Sequence, residues 1–123
     1  MKIKSLAKGL KYKGDAEGKR QTYHVFEGSD FFFLISFKKN NPSSGNFNVV
    51  ELEAIQSVLK KFHGKSRLTS QDILNGLSKT KTRYFNSRFD ALNALYVLVG
   101  LKQAKVDTRF KSTSLYFNIK ETQ

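Results

Sequence analysis

The spacing of apolar positions changes character along this chain. In Thr22–Phe26 and Phe31–Phe37 apolar residues are dense, aromatic and β-branched, which predicts two strands joined by the hairpin loop Glu27-Gly28-Ser29-Asp30. The second run, FFFLISF, does not alternate with polar residues, so both of its faces are expected to be covered. At an exposed edge it would aggregate, and Asp30, Lys38 and Lys39 flank it as gatekeepers. Burial within one copy of the chain and pairing across a dimer both meet that expectation. The stretch KKNNPSSGN, residues 38–46, holds the only Pro and reads as a loop.

Beyond it the period becomes helical. Asn48 is placed to cap a helix with Glu51 three residues on, and Phe47 with Leu52 forms a hydrophobic staple. Leu52, Ile55, Leu59 and Phe62 then build one apolar stripe, and Gly64 is placed to end the helix in the left-handed conformation. The device repeats with Thr69 as cap, Asp72 at the third position, and a short buried face of Ile73, Leu74 and Leu77.

A third helix is expected over 83–99, with Thr82 as its cap and Ser78 or Thr80 as alternatives. At about 100° per residue, Phe85, Phe89, Leu92, Tyr96 and Val99 share one side, while Arg83, Ser87, Asp90 and Ala94 share the other. Gly100 closes it. The period then drops to two: QAKVDTRF and SLYFNIK alternate around the polar tip Lys111-Ser112-Thr113, as in an antiparallel hairpin with one apolar and one wet face.

Composition sharpens this picture in one respect. The 123 residues suffice for one core, and 22 Lys plus Arg against 10 Asp plus Glu give a formal charge of +12. An imbalance of that size opposes compaction and points to a polyanionic partner, nucleic acid first among them. There is no Cys, which excludes disulfides and thiolate chemistry. The basic N-terminus lacks an apolar core of signal-peptide length, and Phe31–Ile35 is too short to cross a bilayer. The expectation is a cytoplasmic protein, nucleoid-associated if bacterial, with no membrane contact.

Helix, short helix, longer helix and a hairpin with a basic tip: on that order of elements, residues 47–120 resemble a winged-helix DNA-binding domain. The resemblance implies an α+β fold, a winged helix-turn-helix over residues 47–123, with residues 1–46 as a basic segment and β-hairpin extension. It implies duplex DNA as partner, with the third helix in the major groove. Base-edge contacts would come from Arg83, Tyr84, Asn86, Ser87 and Asp90, since Arg suits guanine and Asn suits adenine. Phosphate contacts would come from Lys79, Lys81, Thr82, Arg88, Lys105, Arg109 and Lys111.

Catalytic constellations are poor. His24 and His63 have nothing at metal-ligand spacing, and Ser36-Phe37-Lys38 carries Ser where a metal-dependent nuclease of the restriction-enzyme type places a carboxylate. No catalytic residue, metal or cofactor is therefore expected. The leading expectation is a sequence-specific transcriptional regulator, with the Phe31–Phe37 strand as the surface for a homodimer or a protein partner. Its rivals are a DNA-reading module of a larger replication or restriction assembly, and an RNA-binding protein stacking Tyr12, Phe31, Phe33 or Tyr116 on bases.

Overall fold

The computed structural model describes residues 9–77, 84–109 and 115–121. The fold begins with β1 (Lys11–Glu17), β2 (Gln21–Glu27), β3 (Phe31–Lys38) and β4 (Asn41–Glu51). These form one antiparallel sheet in the order β1-β2-β3-β4, a meander in which each strand pairs with the next. Helices α1 (Leu52–Phe62), α2 (Ser70–Leu77) and α3 (Arg88–Gly100) follow, then the short antiparallel pair β5 (Ala104–Val106) and β6 (Phe117–Ile119).

The chain is α+β, but the winged helix-turn-helix with an N-terminal hairpin extension is overturned. A four-stranded sheet comes first and the helices pack on it, in place of a three-helix unit with a C-terminal wing.

Two strands account for the difference. KYKGDAE has no apolar alternation, yet it forms β1 because pairing from Tyr12↔Phe26 to Glu17↔Thr22 satisfies its backbone, with a bulge between Tyr12 and Gly14. β4 runs through the expected loop and the expected start of the first helix. As an edge strand it tolerates Pro42 and leaves Asn46 and Asn48 exposed. Phe47 and Asn48, read as staple and cap, stand opposite Ile35 and Leu34 as strand residues. Glu51 takes the N-cap position of α1 without a side-chain bond.

Two other expected helix signals are present. Gly64 follows α1 with φ +75°. At α2 the Thr69 N–H donates to Asp72 Oδ2 (2.8 Å) and the Asp72 N–H to Thr69 Oγ1 (3.2 Å), a reciprocal capping box.

Inward-facing sheet residues Ala16, Val25, Phe32, Leu34 and Val50 join Ala54, Ile55, Val58 and Phe62 of α1 in a single core with α2, α3 and β6. At its centre lies α3, which touches β1 and β2 as well as α2 and β5 and so is buried nearly all round. It is also turned from its expected orientation: Phe89 is 65% exposed and Ala94 fully buried. The small pair runs Ala104↔Ile119 to Val106↔Phe117, and Leu68 flanks β6 through mutual bonds with Phe117 (2.9 and 2.7 Å). The alternation of QAKVDTRF stops after Val106 because Asp107 is buried, its carboxylate binding Arg109 and Asn118. Phe110 and the tip Lys111–Thr113 lie outside the described residues.

Candidate nucleic-acid interface

The start of α3 organises the residues expected to meet DNA. Ser87, extended at φ −153° and ψ 166°, caps the helix by accepting the Asp90 N–H at 3.3 Å. Asp90 reaches back to accept the Asn86 N–H at 3.0 Å, one residue before the cap, so that both carboxylate and hydroxyl tie down the helix start. Ser87 and Asp90, two of the five residues expected at base edges, are thus engaged by the helix end. Tyr84 is half-buried against the core. Asn86 and Arg88 are exposed, and the Arg88 guanidinium sits 5.5 Å from the centre of the Phe89 ring. Lys79, Lys81, Thr82, Arg83 and Lys111 lie outside the described residues.

On the small pair, Lys105 is exposed opposite Asn118. Arg109 closes on Asp107 through Nε (2.9 Å), a terminal nitrogen (2.7 Å) and its own backbone N–H (3.1 Å). The Arg109 hydrogen bond, helped by Asn118, holds the Asp107 carboxyl well below the usual carboxylate range despite burial. The charge of Arg109 is neutralised where it stands.

The strongest gathering of cations lies elsewhere. In an antiparallel meander the first and third turns share one end of the sheet, and the second turn lies at the other. The first turn carries Lys19 and Arg20; the third carries Lys38 and Lys39; all four are exposed. The Gly18 N–H closes the first turn on the Gln21 carbonyl (2.9 Å), and the Lys39 N–H donates to the Arg20 carbonyl (3.0 Å), which ties the two turns side by side. The first turn of α3 brings Arg88 and Phe89 toward Lys19 and Arg20. A groove of about 680 Å³ runs between the first turn and the helix, lined by Lys19, Arg20, Tyr23, Arg88, Phe89 and Tyr96. A second, of about 530 Å³, runs between the two turns and shares Lys19, Arg20 and Gln21 with it. Together they make one continuous basic track over three segments of the chain.

The floor of the track is rigid. Tyr23 and Tyr96 stack at 4.1 Å with planes 19° apart, and burial pushes both phenols above their ordinary pKa. Gly18 lies on them: a Cβ there would stand 2.8 Å from Tyr23 Cε2 and 2.9 Å from the Tyr96 hydroxyl. The acid at the track is Glu17, bound to Lys39 at 2.9 Å. The opposite end of the sheet carries Glu27, Asp30 and Glu51.

Sequence reading assigned Lys38 and Lys39 a gatekeeping role and placed Lys19 and Arg20 only within a basic segment. The available signal was the pair Lys-Arg after Gly18 and the pair Lys-Lys one hairpin later, which alternate turns bring together.

No protein-family model, curated protein or solved structure matches this chain. Among the described residues no helix is long and apolar enough to span a membrane, and no three His, Asp or Glu side chains are grouped to hold a metal ion.

Proposed function

We propose that this protein binds duplex DNA by its phosphates along the basic track and reads sequence through the residues that open α3, acting as a regulator of transcription. The observation that carries the reading is the joining of Lys19, Arg20, Lys38, Lys39 and Arg88 at one end of the molecule, in a chain of net charge +12. Cations spaced over two turns and a helix start suit the spread phosphates of a duplex, and they supply affinity and register without reading sequence.

Sequence reading falls to a short stretch. From Ala91 onward α3 belongs to the core, so the side chains offered to base edges are Asn86 and Arg88. Each can make two hydrogen bonds to one base, Asn to adenine and Arg to guanine.

Single-stranded nucleic acid suits the track less well. Such ligands are held by several rings stacking on successive bases. Here Phe89 is exposed, while Tyr23 and Tyr96 are half-buried or buried and stack on each other. The same contacts would serve a DNA-reading module of a larger assembly. A chain with this role works where DNA is, in the cytoplasm and on the nucleoid of a bacterium.

Competition tests the choice of ligand. A labelled random duplex bound to the protein should be displaced by unlabelled duplex at lower concentration than by single-stranded DNA or RNA of equal length. More effective displacement by a single strand would replace this reading with a single-strand-binding one.

A further inference from the structure

We infer that the outer face of the four-stranded sheet is the interface between two copies of this chain. The helices cover one face of the sheet; strand alternation leaves Tyr12, Phe26, Ile35, Phe37, Phe47 and Val49 on the other. Of these Tyr12 is 54% exposed, Phe37 39%, Phe47 59% and Val49 57%. They form one continuous surface. Tyr12 and Phe26 rings lie 5.5 Å apart, and Phe47 stacks at 5.2 Å on Phe33, which is itself only 4% exposed.

The size of the surface sets the scale of its partner. At about 200 Å² for a freely exposed aromatic side chain, the four most exposed residues leave on the order of 400 Å² of apolar area open. That lies within the ~300–600 Å² of the largest apolar patch on a single chain, a patch that often serves binding, and is about half of the ~800 Å² each partner buries in a standard interface. The polar positions of the same face and the flanking turns supply the remainder.

Charge selects the occupant. The chain has 22 Lys and Arg, yet no paired position of this face holds one; its polar members are Asp15, Glu17, Thr22, His24 and Gly45 together with Glu51 at the end of β4. Lys39 reaches this face only through its ion pair with Glu17 at 2.9 Å, so a nucleic acid finds no row of cations there. Two copies of a chain with charge +12 repel over most of their surfaces, but here they can approach without setting cation against cation.

The two ends of the sheet add the specificity. Lys19, Arg20, Lys38 and Lys39 stand at one end; Glu27, Asp30 and Glu51 stand at the other, beside Lys11 and Lys13. A two-fold axis between the facing sheets and perpendicular to the strands lays the basic end of each copy over the acidic end of its mate. One set of contacts thereby occurs twice, as an isologous interface requires. The groove between the first turn and α3, lined by Tyr23, Arg88, Phe89 and Tyr96, lies on the helix side of the sheet and stays open in both copies.

The test is the solution mass of the full chain, measured by light scattering on a sizing column, with no DNA present. A species of twice the 14.1 kDa chain mass is expected at micromolar concentration. Phe47→Lys and Val49→Lys, each at a side chain already exposed in one copy, should give monomers with the far-ultraviolet dichroism of the parent. The milder Val49→Thr, which keeps a strand-forming side chain, should weaken the dimer at least tenfold. Phe89→Lys, exposed outside this face, should stay dimeric. A monomeric parent, or a dimer that withstands all three substitutions in β4, overturns the inference and leaves the DNA-binding proposal standing on its own test.

Discussion

Gly14 and Gly100 meet across the junction of sheet and helix with no room for a side chain on either. A Cβ on Gly14 would overlap the carbonyl oxygen of Gly100, and one on Gly100 would overlap Cγ2 of Val25. This contact lets the C-terminal end of α3 lie directly on β1 and β2. It sets the position of the whole helix, and so of Tyr96 beneath the first turn and Arg88 at the mouth of the groove. Gly100 is thus a packing residue; the left-handed residue that ends the helix is Lys102, at φ +62°. The Gln103 N–H to Leu98 carbonyl bond (2.8 Å) and the Lys102 N–H to Val99 carbonyl bond (3.0 Å) complete the ending.

Replacing Gly100 by Ala should therefore destabilise the fold by about 1–3 kcal/mol, the usual cost of overpacking a tight contact. Urea unfolding followed by circular dichroism measures it. An unchanged midpoint would mean that sheet and helix do not meet as described.

The start of α3 makes a separate prediction. Ser87 accepts the Asp90 N–H, so Ser87→Ala should cost about 1 kcal/mol, while Ser87→Asp, which keeps an accepting oxygen, should cost much less. Equal losses in the two variants, read from the same urea curves, would show that the cap is elsewhere.

Asp107 gives the fold part of its acid sensitivity. Its hydrogen bonds from Arg109 and Asn118 place its folded pKa well below the ordinary value of about 3.9. As the pH falls through the ordinary range the unfolded chain takes up the proton first. The stabilisation is therefore whole above that range and is lost progressively as the pH drops toward the folded pKa. Urea midpoints measured from about pH 6 down to about pH 2.5 should fall less steeply for Asp107→Asn than for the parent. Parallel curves would remove Asp107 from the acid response.

The helices were more legible than the sheet, for reasons that individual residues display. The stripe through Ile55 and Phe62 and the Thr69–Asp72 capping box are short-range signals, and both are realised in α1 and α2. α3 was expected to start after Thr82, with Ser78 or Thr80 as alternatives, but it starts after Ser87. The Asp90 N–H bond to Ser87 Oγ and the Asn86 N–H bond to the Asp90 carboxylate place the start of α3 at Arg88. β1 and β4 were hidden because their stability comes from neighbours distant in sequence, not from their own composition. Asn48 is a fair helix cap by itself, and only the partner Leu34 makes it a strand residue. The basic track was hidden for the same reason, since Lys19 and Lys39 become neighbours only once the meander is known.

The most direct test of the DNA-binding account is the salt dependence of duplex affinity, measured by fluorescence anisotropy for the parent and for Lys19→Gln with Arg20→Gln. Four phosphates neutralised by Lys19, Arg20, Lys38 and Lys39 predict that log K falls with log salt at a slope of about −3.6. Losing the two cations shared by both grooves should reduce that slope by about 2. A double variant with the parent's slope, or a parent that does not bind duplex at low salt, would contradict the assignment of the track.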